Sequence, residues 1–204
     1  QIAYYTWMIM GIYILYSLIV NQELRENINY YISLLFSMIF GIAMSLWIYL
    51  PLLNYAPFSN RGMSDGGGAS IGYATNWSLH PLEMLTFAFP SSFGFGDQSY
   101  YGYMPMTNFP NYIGFIIILL ALYSLYKSSN KLRWFFLVVA LLSLLVSFGK
   151  YFFVYGIFYD WLPYFNKFRV PSMILVVFQF CIISLAAIGM NSLIKNINEK
   201  QILN

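Results

Sequence analysis

The chain has 204 residues, of which 60% are hydrophobic, 21% aromatic and only 8% charged, with a formal net charge of +3. Soluble domains carry roughly 25% charged residues, so this composition excludes water as the solvent for most of the surface and defines a membrane protein. The positive balance is small and forms no basic cluster, which points away from a DNA or RNA partner.

Apolar sequence begins at Ile2, directly after Gln1, with no charged leader and no small-residue cleavage site. Residues 1-204 are therefore expected to be a fragment of one polytopic membrane domain. Its first apolar run, Ile2 to Val20, has the length a hydrocarbon core demands, about 20 helical residues. After a polar connector, Asn21 to Asn29, comes a second run, Tyr30 to Leu50. Within it Ser33, Ser37, Gly41 and Ser45 recur every fourth position and predict a close-packing face for another helix, the hydroxyls bonding their own backbone.

A loop of 61 residues follows, Pro51 to Asn111, far longer than a connector needs, and loops of that length carry function or hidden structure. Arg61 lies near its start, followed by Ser-Asp-Gly-Gly-Gly-Ala-Ser at 64–70. That run holds Asp65 and lacks the Gly-Lys-Ser/Thr of a phosphate-cradling loop, so it reads as a loop rather than a nucleotide site. Next is Asn-Trp-Ser-Leu-His-Pro-Leu-Glu-Met, 76–84, with the single histidine of the chain. Proline at a first helical position, an acid in the first turn and Pro90 as a stop predict a short helix from Pro81 to Phe89, too short to span and apolar enough to lie at the outer leaflet. In that frame His80 is the N-cap and Glu83 reaches back to the first amides. His80 also suits proton transfer, and both readings stay open. No second ligand matches it, so no metal site is expected. Tyr73, Trp77, Tyr100, Tyr101 and Tyr103 form either an interfacial aromatic belt or faces for a sugar ring, and Asp97 sits among them.

Three further apolar runs follow: Tyr112 to Tyr126, Trp134 to Phe148 and Pro171 to Ile194. The first two are short and are expected to extend through flanking residues. The last contains Gln179 and Ser184, read as interhelical glue, and Cys181, whose solitude excludes an internal disulfide. Between the last two lies the loop 149–170, with Lys150, Lys167 and Arg169. Cations at headgroup depth bind a lipid-linked phosphate or simply anchor a helix end. All seventeen charged residues fall outside the five runs. Six cations (Arg25, Lys127, Lys131, Arg133, Lys195, Lys200) crowd the short connectors, against four (Arg61, Lys150, Lys167, Arg169) over the two long loops. The positive-inside rule then places loops 51–111 and 149–170 outside the cell.

Four strings, residues 74–96, 100–114, 147–151 and 162–173, resemble in order and spacing the YfhO-like bacterial membrane proteins, over Asn54 to about Gly189. Ser92 departs from the second aromatic expected after Pro90-Ser91, which touches only local packing. The resemblance implies an all-α polytopic protein of the bacterial cytoplasmic membrane, similar to GT-C-fold glycosyltransferases. Such proteins take a sugar from a polyprenyl-phosphate carrier and pass it to a cell-envelope glycan. The partners implied are membrane lipid, the lipid-linked sugar and the glycan acceptor, with no cofactor held by this fragment. The acidic residue that carries catalysis in GT-C enzymes belongs to a first outer loop expected upstream of Gln1. Candidate acid–base residues here are Asp65, His80, Glu83 and Asp97, and candidate substrate contacts are Arg61, Trp77, Tyr101, Lys150, Lys167 and Arg169. A lipid-glycan transporter and a non-catalytic scaffold are the alternatives. The absence of charge within the apolar runs weighs against transport, and both outer loops are expected to share one pocket.

Overall fold

The computed structural model describes residues 1–20, 28–55, 58, 70–105, 107 and 111–202. Side chains of Leu53, Asp97 and residues 198–202 lie outside that description. Arg61, Asp65 and the glycine run lie outside the described residues.

Among the described residues six helices of eight residues or more carry the architecture: α1 (Ile2–Val20), α2 (Ile28–Tyr55), α3 (Phe115–Lys127), α4 (Leu132–Ser147), α5 (Val154–Trp161) and α6 (Leu175–Ile202), with a single α-turn at Ile71–Ala74. Short 3-10 turns lie between them, and the one β-bridge among the described residues, Ser92 with Gly94, extends no strand. Three spans, Ile2–Val20, Ile28–Leu52 and Pro171–Ile197, are long and apolar enough to cross a membrane. The chain is thus an all-helical membrane protein. α3 and α4 have 13 and 16 residues, shorter than the 20 or so a hydrocarbon core takes when straight.

Local chemistry explains most of the boundaries. α3 starts after Gly114, whose φ of 113° favours glycine, and ends at Ser128 in extended conformation. Ser128 Oγ accepts from Asn130 N, and Asn130 Oδ1 accepts from Leu132 N, so two polar side chains turn the chain directly into α4. α2 overruns its expected end: Pro51 lies inside the helix, which continues to Tyr55. The final span begins as a 3-10 turn, Pro171–Ile174, and becomes α-helical only at Leu175.

Among the described residues, contacts between the connectors and helix ends gather at two ends of the bundle. At one end Gln1 Nε2 donates to Val170 O (3.2 Å) and Tyr4 OH to Pro163 O (3.2 Å). At the other, Tyr16 OH donates to Lys131 O (2.8 Å), Arg133 to Ser124 O (3.3 Å) and Asn196 Nδ2 to Tyr123 OH (3.0 Å).

α6 is the central helix and packs mainly on α3 and α4. Lipid is as apolar as leucine, so what joins helices in a membrane is close contact rather than exclusion of water. Ala121 and Ser124 of α3 are buried, as are Leu185, Ala186 and Gly189 of α6. A Cβ on Gly189 would run into the Leu120 carbonyl and come within 3.3 Å of Ser124 Cβ. The tight seam lies here and not on the small-residue face predicted for α2. Ser33 and Ser37 are exposed, Gly41 meets the Trp7 ring at 3.4 Å, and Ser37 and Ser45 bond Ser33 O and Gly41 O as expected. Ser184 is likewise not interhelical glue, since its hydroxyl donates to Phe180 O of its own helix. Gly189→Leu is expected to cost about 3 kcal/mol by overpacking. Gly11→Ala, with open space around it, is expected to be neutral or slightly stabilising. Thermal unfolding in detergent compares the two.

Candidate functional site

The two long loops pack directly on each other at the Gln1 end of the bundle. Leu79 N donates to Ser147 O (2.9 Å), Val170 N to Ala74 O (3.1 Å) and Ser172 N to Trp77 O (3.3 Å). Ser78, fully buried, donates to Thr75 O and accepts from Lys150 N at 3.0 Å. Gly149 makes this approach possible. Its φ is 49°, and a Cβ there would strike Ser78 Oγ and come within 2.9 Å of Pro171 Cγ.

His80 caps the 3-10 helix Pro81–Phe87 as expected, its Nδ1 accepting from Leu82 N at 3.2 Å. The helix is 3-10 rather than α, so residues three apart eclipse. Glu83 and Thr86 share the buried side, while Leu82 and Leu85 are more than half exposed. That polarity is inverted relative to a helix in water and suits a turn lying against lipid. Phe87 O accepts from both Ile113 N and Gly114 N, which fastens the helix to the start of α3.

Glu83 departs from its predicted capping role. Its carboxylate is 3% exposed, and Oε1 accepts from Tyr100 OH and, at 2.7 Å, from Tyr103 N. Tyr100 OH in turn accepts from Met104 N (2.9 Å). Burial first, and then the bond to Glu83, push the Tyr100 phenol well above its ordinary range. A Cβ on Gly102 would overlap both side chains, so the loop 100–104 closes tightly over the carboxylate. A carboxylate clasped in this way is a structural anchor. The same bonding takes Tyr100 out of the set of free stacking faces.

Because Glu83 fixes Tyr103, it also shapes the surroundings of His80. The imidazole stacks on the Tyr103 ring (centroids 3.7 Å apart, 18° between planes) and meets Tyr151 edge-on at 4.8 Å. Lys150 Nζ lies 5.1 Å from the Tyr151 centroid. With Nδ1 accepting, neutral His80 carries its proton on Nε2. It therefore presents a donor and not the free base a proton acceptor requires. Sequence reasoning missed Tyr151, Ser78 and Gly149, because nothing local marks residues whose role is to touch another loop.

Arg169 lies against both aromatics of the first loop. Its guanidinium carbon is 4.4 Å from the Trp77 centroid and 4.7 Å from that of Tyr73, and NH1 donates to Tyr73 OH at 2.7 Å. Its Nε is buried with no hydrogen-bond partner. The next residue, Val170, has φ 67° and ψ 79°, a left-handed conformation rare for a β-branched side chain and worth about 1–3 kcal/mol of strain. The reversal aims Arg169 at the first loop while Pro171 opens the last span. Lys167 Nζ sits 5.3 Å from the Tyr164 centroid, and Tyr101, 71% exposed, donates to Ser92 O. Asp97 lies on the 3-10 turn Asp97–Ser99.

Neither of two clefts among the described residues is lined by both loops at their junction. One cleft of about 280 Å³ lies wholly within the first loop, around Glu83, Tyr100 and Asn111. Another, of about 380 Å³ and apolar, lies between α1, α4, α5 and α6. The loops meet in a hydrogen-bonded seam, with His80 and Lys150 beside Tyr151 and Arg169 beside Tyr73 and Trp77. Among the described residues no group of three or more His, Cys, Asp or Glu side chains is placed to hold a metal.

Fold and site together define a helical membrane protein with a cation- and aromatic-rich platform at one end of its spans. No family model, no curated protein and no solved structure matches the chain.

Proposed function

We propose that the chain is the platform-bearing part of a membrane glycosyltransferase of the YfhO-like kind. In this reading it works on the outer face of a bacterial cytoplasmic membrane with five spans in a GT-C-like arrangement. The enzyme moves a sugar from a polyprenyl-phosphate carrier to an envelope glycan. The acceptor hydroxyl loses its proton to a base outside this chain, its oxygen bonds the anomeric carbon, and the bond from that carbon to the phosphate oxygen breaks. The electron pair leaves with the polyprenyl phosphate.

The observation that carries this reading is Arg169, held between Tyr73 and Trp77 at the mouth of the last span. The guanidinium lies within 4.7 Å of both ring centroids and commits one N–H to Tyr73, so its remaining NH1 and NH2 hydrogens form the edge offered to a phosphate, with aromatic rings beside it. Positive charge held there steadies the leaving phosphate as its charge grows.

The test is sugar content of the surface glycan in cells expressing full-length variants at matched levels. Arg169→Ala is expected to lower decoration at least about 100-fold, the scale of losing one fixed electrostatic contact in a transition state. Arg169→Lys, keeping charge but losing the fork, is expected to lie between. Normal decoration by both variants rejects the reading.

A further inference from the structure

We infer that the outer edge of the seam is a phosphoryl-binding site in its own right, built from His80 Nε2–H of the first loop and Lys150 Nζ of the second. The two groups flank one ring: the His80 imidazole is 4.8 Å from the Tyr151 centroid and Lys150 Nζ is 5.1 Å from it. They are therefore within about 10 Å of each other. That separation is an upper bound, and the exposed Lys150 side chain, on its four-carbon stem, can close the remaining distance onto an anion hydrogen-bonded to His80 Nε2–H.

Both groups are available. Nδ1 of His80 is engaged with Leu82 N, while Nε2 is accessible and has no hydrogen-bond partner among the described residues. Lys150 is exposed and has no carboxylate partner among the described residues. The His80 ring and the backbone that carries Lys150 are held in place. Lys150 N is bonded to Ser78 Oγ, directly after the glycine that brings the loops together. His80 is stacked on Tyr103, whose own backbone is tied to Glu83. Neither loop supplies the site alone, since each brings one donor.

The inference rests on the reading above only for including a lipid-linked phosphate among the ligands, and its test does not pass through sugar transfer. His80 is the only histidine, so ¹⁵N-histidine labelling reports a single imidazole. The full chain in phosphatidylcholine nanodiscs is titrated with inorganic phosphate, glucose 1-phosphate and farnesyl phosphate, and separately prepared with phosphatidylglycerol. A saturable shift of the Nε2 signal is expected, with affinity lowered about tenfold in Lys150→Gln and less than about twofold in Lys167→Gln. A response confined to farnesyl phosphate or phosphatidylglycerol assigns the site to a lipid headgroup, and one shared with the soluble phosphates assigns it to the phosphoryl group alone. No saturable shift with any of the four, or a shift that Lys150→Gln leaves unchanged, overturns the site. Binding without transfer would reject the transferase and keep the site.

Discussion

Glu83→Ala is expected to destabilise the protein by about 3 kcal/mol, because Tyr100 OH and Tyr103 N lose a charged acceptor inside a loop closed around them. Glu83→Gln, which keeps an acceptor oxygen, is expected to cost about half as much. The readouts are the thermal midpoint in detergent and the rate of proteolytic cleavage between residues 90 and 105. Tyr100→Phe removes one of the two bonds and adds less than its full cost on top of Glu83→Ala, since the two side chains share a network. The clasp has a pH signature as well. The folded-state pKa of Tyr100 is raised by burial and then by the bond to Glu83. Its contribution is therefore complete below the unfolded tyrosine value near 10 and is lost as pH rises beyond it, because the unfolded chain ionises first. Tyr100→Phe should flatten the alkaline fall in stability. Were Glu83→Ala to abolish envelope decoration at an unchanged midpoint, the carboxylate would be doing chemistry and the clasp would not be its role.

Gly149→Ala is expected to cost about 2–4 kcal/mol, combining a left-handed backbone with a methyl group driven into Ser78 and Pro171. Damage should concentrate at the seam, since the Lys150–Ser78 and Leu79–Ser147 bonds depend on the same close approach. Hydrogen exchange at Leu79 and Lys150 should then rise before exchange in α6. Gly156→Ala is the matched control: Gly156 lies in α5 with open space at its Cβ position, and a helix gains about 0.5–1 kcal/mol from that change. Equal destabilisation by both would place the effect in backbone freedom rather than at the seam.

These two predictions fall on residues that the sequence treats very differently. Glu83 stands out at once, three residues after the only histidine, and its spacing from His80 satisfies the helix-start pattern. The pattern was right about His80, whose Nδ1 does cap the turn, and wrong about Glu83. A carboxylate at that position chooses among all donors within reach, and the donors on the distant stretch 100–104 took it into a buried site. Gly149 has no local signature, because the need for a missing side chain arises only when Ser78 and Pro171 come to rest against it. The stripe from Ser33 to Ser45 shows the limit of spacing: of its four residues Gly41 meets another helix, at the Trp7 ring, while the closest approach between helices is at Gly189.

From the sequence by itself came what depends on the solvent and on local periodicity. Sparse charge and long apolar runs made this a helical membrane protein, and the order of runs and polar connectors put loops 51–111 and 149–170 on one side, where residues 74–79 of the first do meet the second. His80 as a cap and Pro81 as a helix start followed from the few residues around them. Only the tertiary structure decided which side chains meet. Arg169 lies on Tyr73 and Trp77, about a hundred residues away in the chain, and His80 beside Tyr151, because strained Val170 and unobstructed Gly149 let two loops close together. Contacts between distant segments depend on shape and hydrogen-bond competition across the whole fold, and no local window of the sequence contains them.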